Sequence, residues 1–195
     1  ARLRDLFPGV DVTVIHLGDI TPLTKHIDDS PEVPAELEGG APFVLTLGTR
    51  EKRKNLPVLI EAFAAVSSDH ADAQLVVAGG PGDDDQRIEA VLSRLTPAMR
   101  RRVHLVGRVS DATASWLLDH AALLAYPSLD EGFGFPLLEA MNHRTPIVAA
   151  AVGSIPEVAG DAALLVDDHD VASWSSALSR LLDDAALADD LRNRG

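Results

Sequence analysis

The chain has 195 residues, and its 17 lysine and arginine residues against 30 aspartate and glutamate residues give a formal net charge of −13. Its length suits one large domain or two small ones, and its acidic balance argues against a nucleic-acid partner. The absence of cysteine excludes disulfides and thiol catalysis, and no apolar run reaches the roughly 20 residues of a transmembrane helix. We therefore expect a soluble, cytoplasmic protein.

Short apolar runs alternate with longer amphipathic stretches along most of the chain. The runs predict six strands at Phe43–Leu47, Gln74–Ala78, Val103–Val106, Ala122–Tyr126, Ile147–Ala150 and Ala163–Val166. Helical spacing of apolar residues predicts connecting helices at Asn55–Ser67, Gln86–Leu95 and Pro136–Asn142, one that begins at Ser110, and two that close the chain. Uniformly apolar strands separated by helices are typical of an α/β fold with a parallel sheet covered on both faces.

The chain divides into an arm and a compact domain. Prolines and glycines concentrate before Ala41, so residues 1–40 are predicted to be a connecting arm, with one candidate strand at Val12–Ile15. Residues 41–195 are predicted to be the domain. The chain stops at Gly195 within an expected helix, and this ending looks cut.

The loop after the first predicted strand is strongly basic. It carries four cations within five residues, Arg50, Lys52, Arg53 and Lys54. Ligands of parallel sheets bind beyond the carboxyl ends of the strands, where helix N-termini favour anions. Arginine forks and lysine point charges suit a diphosphate. A solvated basic turn explains the composition equally well, but the place at a strand end favours the binding role.

A glycine-rich segment with two carboxylates follows the fourth predicted strand. Gly134 lets the backbone approach a ligand, Pro136 suits the first turn of a helix, and the amides of residues 134–137 are expected to form an anion site. Glu131 and Glu139 are placed to accept hydrogen bonds from the hydroxyls of a sugar and a ribose. No third metal-ligating residue is close in sequence, so a metal site is not expected. The alternative is that each glutamate only stabilises a helix dipole.

Two further loops receive structural interpretations. Ser154 and Glu157 match a capping box at the start of a helix, which we weigh at least equally with a binding role. The glycines of residues 79–82 are interpreted as a turn, since Pro81 removes an amide donor and no G-x-G-x-x-G motif is present.

Together these segments resemble the C-terminal, donor-binding domain of retaining glycosyltransferases of the GT-B fold, glycosyltransferase family four. The likeness covers roughly Val12 to the end. It rests on G-T-x-x-x-R-K-N at Gly48–Asn55, V-G-R-V-S-D at Val106–Asp111, P-S-x-x-E-G-F-G-F-P-x-L-E-A-M at Pro127–Met141, T-P-I-V-A at Thr145–Ala149 and G-S-I-P-E-V-A-G-D-A-A-L-L-V at Gly153–Val166. The implied fold is a Rossmann-like parallel sheet, the C-terminal half of GT-B.

The resemblance implies a role for each matched residue. Arg53 and Lys54 would bind the donor diphosphate and Glu131 the donor sugar, and these three form the implied catalytic set. Glu139 would hold the nucleotide ribose. The other implied substrate-binding residues are Gly48, Thr49 and Arg50 near the diphosphate, Gly107, Arg108 and Val109 near the base, and Phe133, Gly134, Phe135, Pro136 and Leu137 near the sugar and its phosphate. No metal is implied, since cations and amides can stabilise the leaving diphosphate.

The implied reaction is transfer of a hexose, mannose or a related sugar, from a nucleotide donor to a glycan, lipid or small-molecule acceptor. GDP-mannose is favoured as donor, and UDP sugars stay open. The acceptor-binding N-terminal domain and the final crossover helix are not in the sequence, so the isolated chain is expected to bind donor without turnover. A membrane-peripheral location through that domain stays open, as does the oligomeric state.

Two alternatives remain at this stage. The first is a non-catalytic nucleotide-sugar-binding or regulatory module of the same fold. The second is a nicotinamide-dependent oxidoreductase, which the missing glycine fingerprint disfavours.

Overall fold

The computed structural model describes residues 30–37, 39–167 and 169–195, where strands and helices alternate. The strands are β1 (Phe43–Leu47), β2 (Gln74–Ala78), β3 (Val103–Gly107), β4 (Leu123–Tyr126), β5 (Ile147–Ala150) and β6 (Ala163–Val166). The helices are α1 (Leu56–Val66), α2 (Asp85–Leu92), α3 (Pro97–Arg100), α4 (Asp111–His120), α5 (Phe135–Asn142), α6 (Ile155–Ala159), α7 (Val171–Asp183) and α8 (Ala185–Arg194), with short 3-10 helices at Ala35–Leu37 and Lys52–Lys54. The candidate strand Val12–Ile15 lies outside the described residues.

The strands form one parallel sheet in the order β3-β2-β1-β4-β5-β6. The chain therefore builds outward from β1 to β3, returns to β4 beside β1, and builds outward on the other side. In such sheets the carboxyl ends of the two central strands flank a crevice at the point where the strand order reverses. This architecture confirms the predicted Rossmann-like α/β fold.

Successive strand residues pack alternately into two hydrophobic layers, one on each face of the sheet. In β1, Val44 packs with α1 and α7 through Phe63 and Trp174, while Leu45 packs on the opposite face with Leu117 of α4. All five side chains are fully buried. The sheet is thus covered on both faces, as the uniformly apolar strands predict. None of the helices in the described ranges is long and apolar enough to cross a membrane.

Local predictions at two places need correction. The helix predicted to reach Leu95 ends at Leu92, and a short helix that the sequence analysis missed follows at Pro97–Arg100. Ser154 does not form the predicted cap of α6. Its backbone is helical (φ −85°, ψ −9°) rather than extended, and its Oγ donates to the backbone oxygen of Glu131 at 3.0 Å. The loop after β5 is thereby tied to the carboxylate segment after β4.

Candidate functional site

The two loops with the predicted charged residues lie side by side at the centre of the sheet. β1 and β4 are paired neighbours, so the basic loop after Leu47 and the segment after Tyr126 leave the sheet together. The Leu129 amide donates to the Arg53 carbonyl oxygen at 2.7 Å, which fixes one loop against the other. Residues far apart in sequence therefore meet at the expected crevice.

Glu131 lies at the centre of a charged cluster. Its Oε1 accepts hydrogen bonds from Arg53 Nη1 and Lys54 Nζ, each at 2.6 Å, and from Ser128 Oγ at 2.9 Å. Lys54 Nζ also donates to Tyr126 Oη at 2.7 Å. The side chains of Glu131 and Lys54 are only 11% and 9% exposed, whereas that of Arg53 is 47% exposed. Arg53 is therefore the cation that an incoming ligand reaches first.

These contacts set the protonation states. Burial raises the pKa of Glu131, but hydrogen bonds from Lys54, Tyr126 and Ser128 outweigh it and leave the pKa below its ordinary value. Burial holds the pKa of Lys54 below its ordinary value, against the hydrogen bond and charge of Glu131. Burial, followed by the hydrogen bond with Glu131, raises the pKa of Tyr126. Glu131 is thus ionised and Tyr126 neutral at neutral pH.

Arg50, which the resemblance assigns to the diphosphate region, is paired with an acidic residue. Its Nε and Nη2 donate to Asp85 Oδ1 and Oδ2 at 2.7 and 3.3 Å, and its side chain is 14% exposed. The Lys52 amide donates to Asp83 Oδ1 at 2.8 Å, and the Asp84 amide donates to the Arg50 carbonyl oxygen at 3.0 Å. The acidic run that leads into α2 therefore holds the basic loop in place.

Among the described side chains, no group of three or more histidines, aspartates and glutamates is arranged to hold a metal.

The glycine-rich turn after β2 packs directly on the basic loop. A Cβ on Gly79 would lie 1.8 Å from the Gly48 carbonyl oxygen, and a Cβ on Gly82 would lie 2.4 Å from that of Arg50. The Arg50 amide donates to the Gly80 carbonyl oxygen at 3.1 Å. Two backbones approach this closely only where side chains are missing. The turn was predicted from the sequence, but this supporting role was not, although the run of glycines could have signalled it.

Asn55 explains why the basic motif ends in asparagine. Its backbone is left-handed (φ 50°, ψ 37°), and it closes the Lys52–Lys54 turn while standing at the N-cap position of α1. Asparagine enters this conformation more readily than other residues with a Cβ. The sharp change of direction leaves Lys54 buried under the loop and Arg53 exposed above it.

Helix α5 begins as predicted but offers fewer amides than expected. Gly134 stands at its N-cap in a left-handed conformation (φ 96°), and Pro136 lies in the first turn. Pro136 has no amide hydrogen, and the Leu137 amide donates to the Gly134 carbonyl oxygen at 3.0 Å. Within the described residues, neither the Gly134 amide nor the Phe135 amide donates to a backbone oxygen outside the helix. The rings of Phe133 and Phe135 lie 4.8 Å apart, and Phe135 is 42% exposed.

Glu139 has the opposite surroundings from Glu131. Its side chain is exposed, and no described residue donates a hydrogen bond to its carboxylate. Desolvation by neighbouring residues, followed by the negative charge of Asp111, raises the pKa of Glu139, whereas the charge of His143 lowers it. Asp111 begins α4 two residues after the loop of residues 107–109, which is predicted to border the base.

The remaining candidates lie around this cluster. Thr49 and Arg108 are exposed, Gly48 and Val109 are partly buried, and Gly107 ends β3 with a positive φ of 76°. β3 is two strands from β1, so these two strands are separated by about 10 Å in the sheet. That separation is comparable to the length of a nucleotide.

The sequence matches a known protein family. The model of the family Glycosyl transferases group 1 matches residues 41–184. The chain belongs to this family. The match begins at the first residue of the predicted domain and includes the charged cluster, the loop after β3 and α5.

Individual relatives agree with the family. O-antigen chain mannosyltransferase B of Escherichia coli is 33% identical over 154 residues, which is 78% of this chain and 40% of that protein. The structure of sucrose-phosphate synthase from Thermosynechococcus elongatus superposes with a TM-score of 0.68 at 29% identity over 78% of this chain and 39% of that one. The chain thus spans about two fifths of the length of these relatives.

A third comparison concerns the fold alone. The structure of trehalose-6-phosphate from E. coli bound with UDP-2-fluoro glucose has a TM-score of 0.72 at 12% identity, covering 83% of this chain and 42% of that one. Such likenesses confirm that the sheet is that of GT-B glycosyltransferases.

Proposed function

We propose that the chain is the donor-binding half of a retaining glycosyltransferase of family four. The longer protein to which the chain belongs transfers mannose or a related hexose from a nucleoside diphosphate sugar to a glycan, lipid or small-molecule acceptor. The observation that carries the proposal is the Arg53–Lys54–Glu131 cluster. It lies where the strand order reverses between β1 and β4, in a chain of the glycosyl transferases group 1 family.

The donor diphosphate binds between the exposed Arg53 guanidinium and the amides of Gly134 and Phe135, above the buried Lys54 ammonium. Fixed cations and amides stabilise the charge that develops on the leaving diphosphate. Glu131 accepts hydrogen bonds from hydroxyls of the donor sugar. The hydrogen bonds from Arg53, Lys54 and Ser128 all go to Oε1.

The nucleoside extends from this cluster toward β3. Glu139 accepts hydrogen bonds from the ribose, and the loop of residues 107–109, which follows a strand about 10 Å from β1, borders the base. The mannosyltransferase relative and the G-T-x-x-x-R-K-N motif support GDP-mannose as donor. UDP sugars are the second candidate, since a neighbour in fold binds UDP-2-fluoro glucose.

The acceptor is bound by an N-terminal domain of the same protein, and chemistry takes place between the two halves. This part of the proposal is supported by the chain spanning about two fifths of its relatives. The 195-residue chain therefore binds donor without transferring sugar. Transfer by the longer protein also separates this proposal from a non-catalytic module of the same fold.

The test is a thermal-shift and calorimetric titration of the chain with GDP, UDP, ADP, NAD and the corresponding nucleotide sugars. A ligand at about 100 times its Kd stabilises the fold by about 2.7 kcal/mol, which raises Tm by several degrees. We expect one nucleoside diphosphate and its sugar conjugate to stabilise the chain, and NAD not to. Arg53→Ala should abolish the shift, whereas Arg94→Ala, which removes a cation 73% exposed and paired only at 4.0 Å with Glu61, should keep it. A response to NAD alone would overturn the proposal.

A further inference from the structure

Two buried hydroxyl groups support the charged cluster from the sheet side. Tyr126, the last residue of β4, is 1% exposed, and Ser128 is fully buried. Tyr126 Oη accepts a hydrogen bond from Lys54 Nζ at 2.7 Å, and Ser128 Oγ donates to Glu131 Oε1 at 2.9 Å. The Tyr126 hydroxyl thus contacts Lys54, and also Glu131 as described above, whereas the Ser128 hydroxyl contacts Glu131.

Lys54 depends on these contacts for its charge. The residue is 8% exposed, and burial of an ammonium group favours its neutral form. Two of its three possible hydrogen bonds go to Tyr126 and Glu131, and the nitrogen also lies 4.4 Å from the centre of the Tyr126 ring. Tyr126 thus supplies both an acceptor and an aromatic face to one cation.

We propose that Tyr126 is a positioning residue for donor binding: its hydroxyl keeps the Lys54 ammonium charged and in place for the diphosphate without touching the donor. Ser128 performs the equivalent task for the Glu131 carboxylate. The inference rests on the proposed function and adds residues that act through the cation and the carboxylate.

The first experiment needs no ligand. The sequence contains three lysines, Lys25, Lys52 and Lys54, so an NMR titration of the lysine Hε–Cε signals can follow Lys54, with Lys54→Arg identifying its signal. Tyr126→Phe keeps the ring and removes the hydroxyl, including its hydrogen bond with Glu131. We expect the pKa of Lys54 to fall in this variant, because the ammonium loses one acceptor while the charged groups acting on it, Glu131, Arg53 and Glu51, stay in the chain. An unchanged Lys54 titration would overturn the proposal.

The second experiment measures GDP affinity against pH. Tyr126→Phe should weaken binding about fivefold to tenfold at neutral pH, the value of one lost hydrogen bond, and should move the alkaline loss of binding to lower pH. Ser128 bonds to Glu131 rather than to Lys54. Ser128→Ala should therefore leave the pH at which GDP binding is lost unchanged, and it should weaken binding of the sugar conjugate more than binding of GDP.

A control separates positioning from stability. Thr145 is 4% exposed, and its Oγ1 donates to the Leu118 carbonyl oxygen at 2.7 Å, away from the cluster. Thr145→Val should lower Tm and leave GDP affinity unchanged. If Tyr126→Phe likewise changes only Tm, the positioning role is wrong. If the unmodified chain binds none of the nucleotides, the proposed function fails, and the Lys54 titration still decides whether Tyr126 holds the ammonium.

Discussion

Glu131 and Glu139 are two carboxylates eight residues apart with opposite electrostatic surroundings. Glu131 is nearly buried, receives three hydrogen bonds on one oxygen and has a lowered pKa. Glu139 is exposed, receives no hydrogen bond from the described residues and has a raised pKa. Glu131 already pairs with two cations, whereas Glu139 has no hydrogen-bond donor among the described residues. Replacing the two carboxylates is therefore expected to change ligand binding in different ways.

Replacing Glu131 by alanine removes the charge that neutralises Arg53 and Lys54. GDP loses no contact of its own, so its affinity should stay or rise. GDP-mannose should lose roughly tenfold to a hundredfold relative to GDP, the value of a hydrogen bond to a charged group. Calorimetry with both ligands measures the difference. Glu51→Ala is the matched control, because Glu51 Oε2 accepts from Arg53 Nε at 2.8 Å and should affect both ligands alike. Equal weakening by Glu131→Ala would remove Glu131 from the sugar site.

Glu139→Ala should weaken GDP and GDP-mannose by the same factor, because both carry the ribose. In the unmodified chain, 2′-deoxy-GDP or 3′-deoxy-GDP should bind less tightly than GDP, and in the variant this preference should disappear. The expected factor is about tenfold or more, since the hydrogen bond involves a charged acceptor. A preference for the ribose hydroxyls that survives in the variant would contradict the assignment.

At the level of elements, the site depends on loops that brace one another. The turn after β2 holds the basic loop after β1 through backbone hydrogen bonds and the Arg50–Asp85 pair. The loop after β5 holds the carboxylate segment through Ser154, and a Cβ on Gly153 would lie 2.7 Å from the Glu131 carbonyl oxygen. The loops that carry the charged side chains are therefore held in place by neighbouring loops that are not predicted to bind the ligand.

Gly79→Ala tests this bracing. The new Cβ meets backbone atoms of the basic loop, which cannot move aside as a flexible side chain can. We expect a loss of about 1 to 3 kcal/mol in unfolding free energy and weaker GDP binding. Gly80→Ala is the matched control, because a Cβ there has nothing within 4 Å. Urea unfolding and GDP calorimetry of both variants provide the measurement, and similar behaviour of the two would contradict the packing argument.

At the scale of the whole molecule, the charge distribution is uneven. The chain carries 30 acidic residues and 17 basic ones, yet four of the basic residues occupy positions 50–54. The sheet order brings this loop beside β4 at the carboxyl edge, where helix N-termini also favour anions. Arg50, Arg53 and Lys54 of this loop are each paired with a carboxylate.

The global stability should report the Glu131 cluster through its pH dependence. A carboxylate with a lowered folded pKa contributes stability above its ordinary pKa, about 4.3, and that stability is lost as the pH falls through the folded value. Glu131→Gln should therefore cost about 3 kcal/mol at neutral pH, since it leaves Lys54 buried without its partner charge. Urea unfolding from about pH 7 to about pH 2 should show the difference in unfolding free energy from the unmodified chain narrowing in acid. A difference independent of pH would contradict the ion-pair account.

The sequence by itself determined the α/β class and the loops that carry the site. Apolar periodicity is local, and parallel strands necessarily bring their carboxyl ends to one edge, so the meeting of Arg53, Lys54 and Glu131 could be predicted. The family motifs added roles for these residues and for Glu139, which remain proposals.

Only the tertiary structure decided which partners these residues take. Arg50 pairs with Asp85, Ser154 bonds to the Glu131 backbone, and the Tyr126 hydroxyl accepts from Lys54. These partners lie more than 20 residues apart in sequence, and each contact depends on the distance between separate loops. Propensity and spacing describe neighbours along the chain, whereas hydrogen bonds between loops are set by the packing of the sheet that carries them.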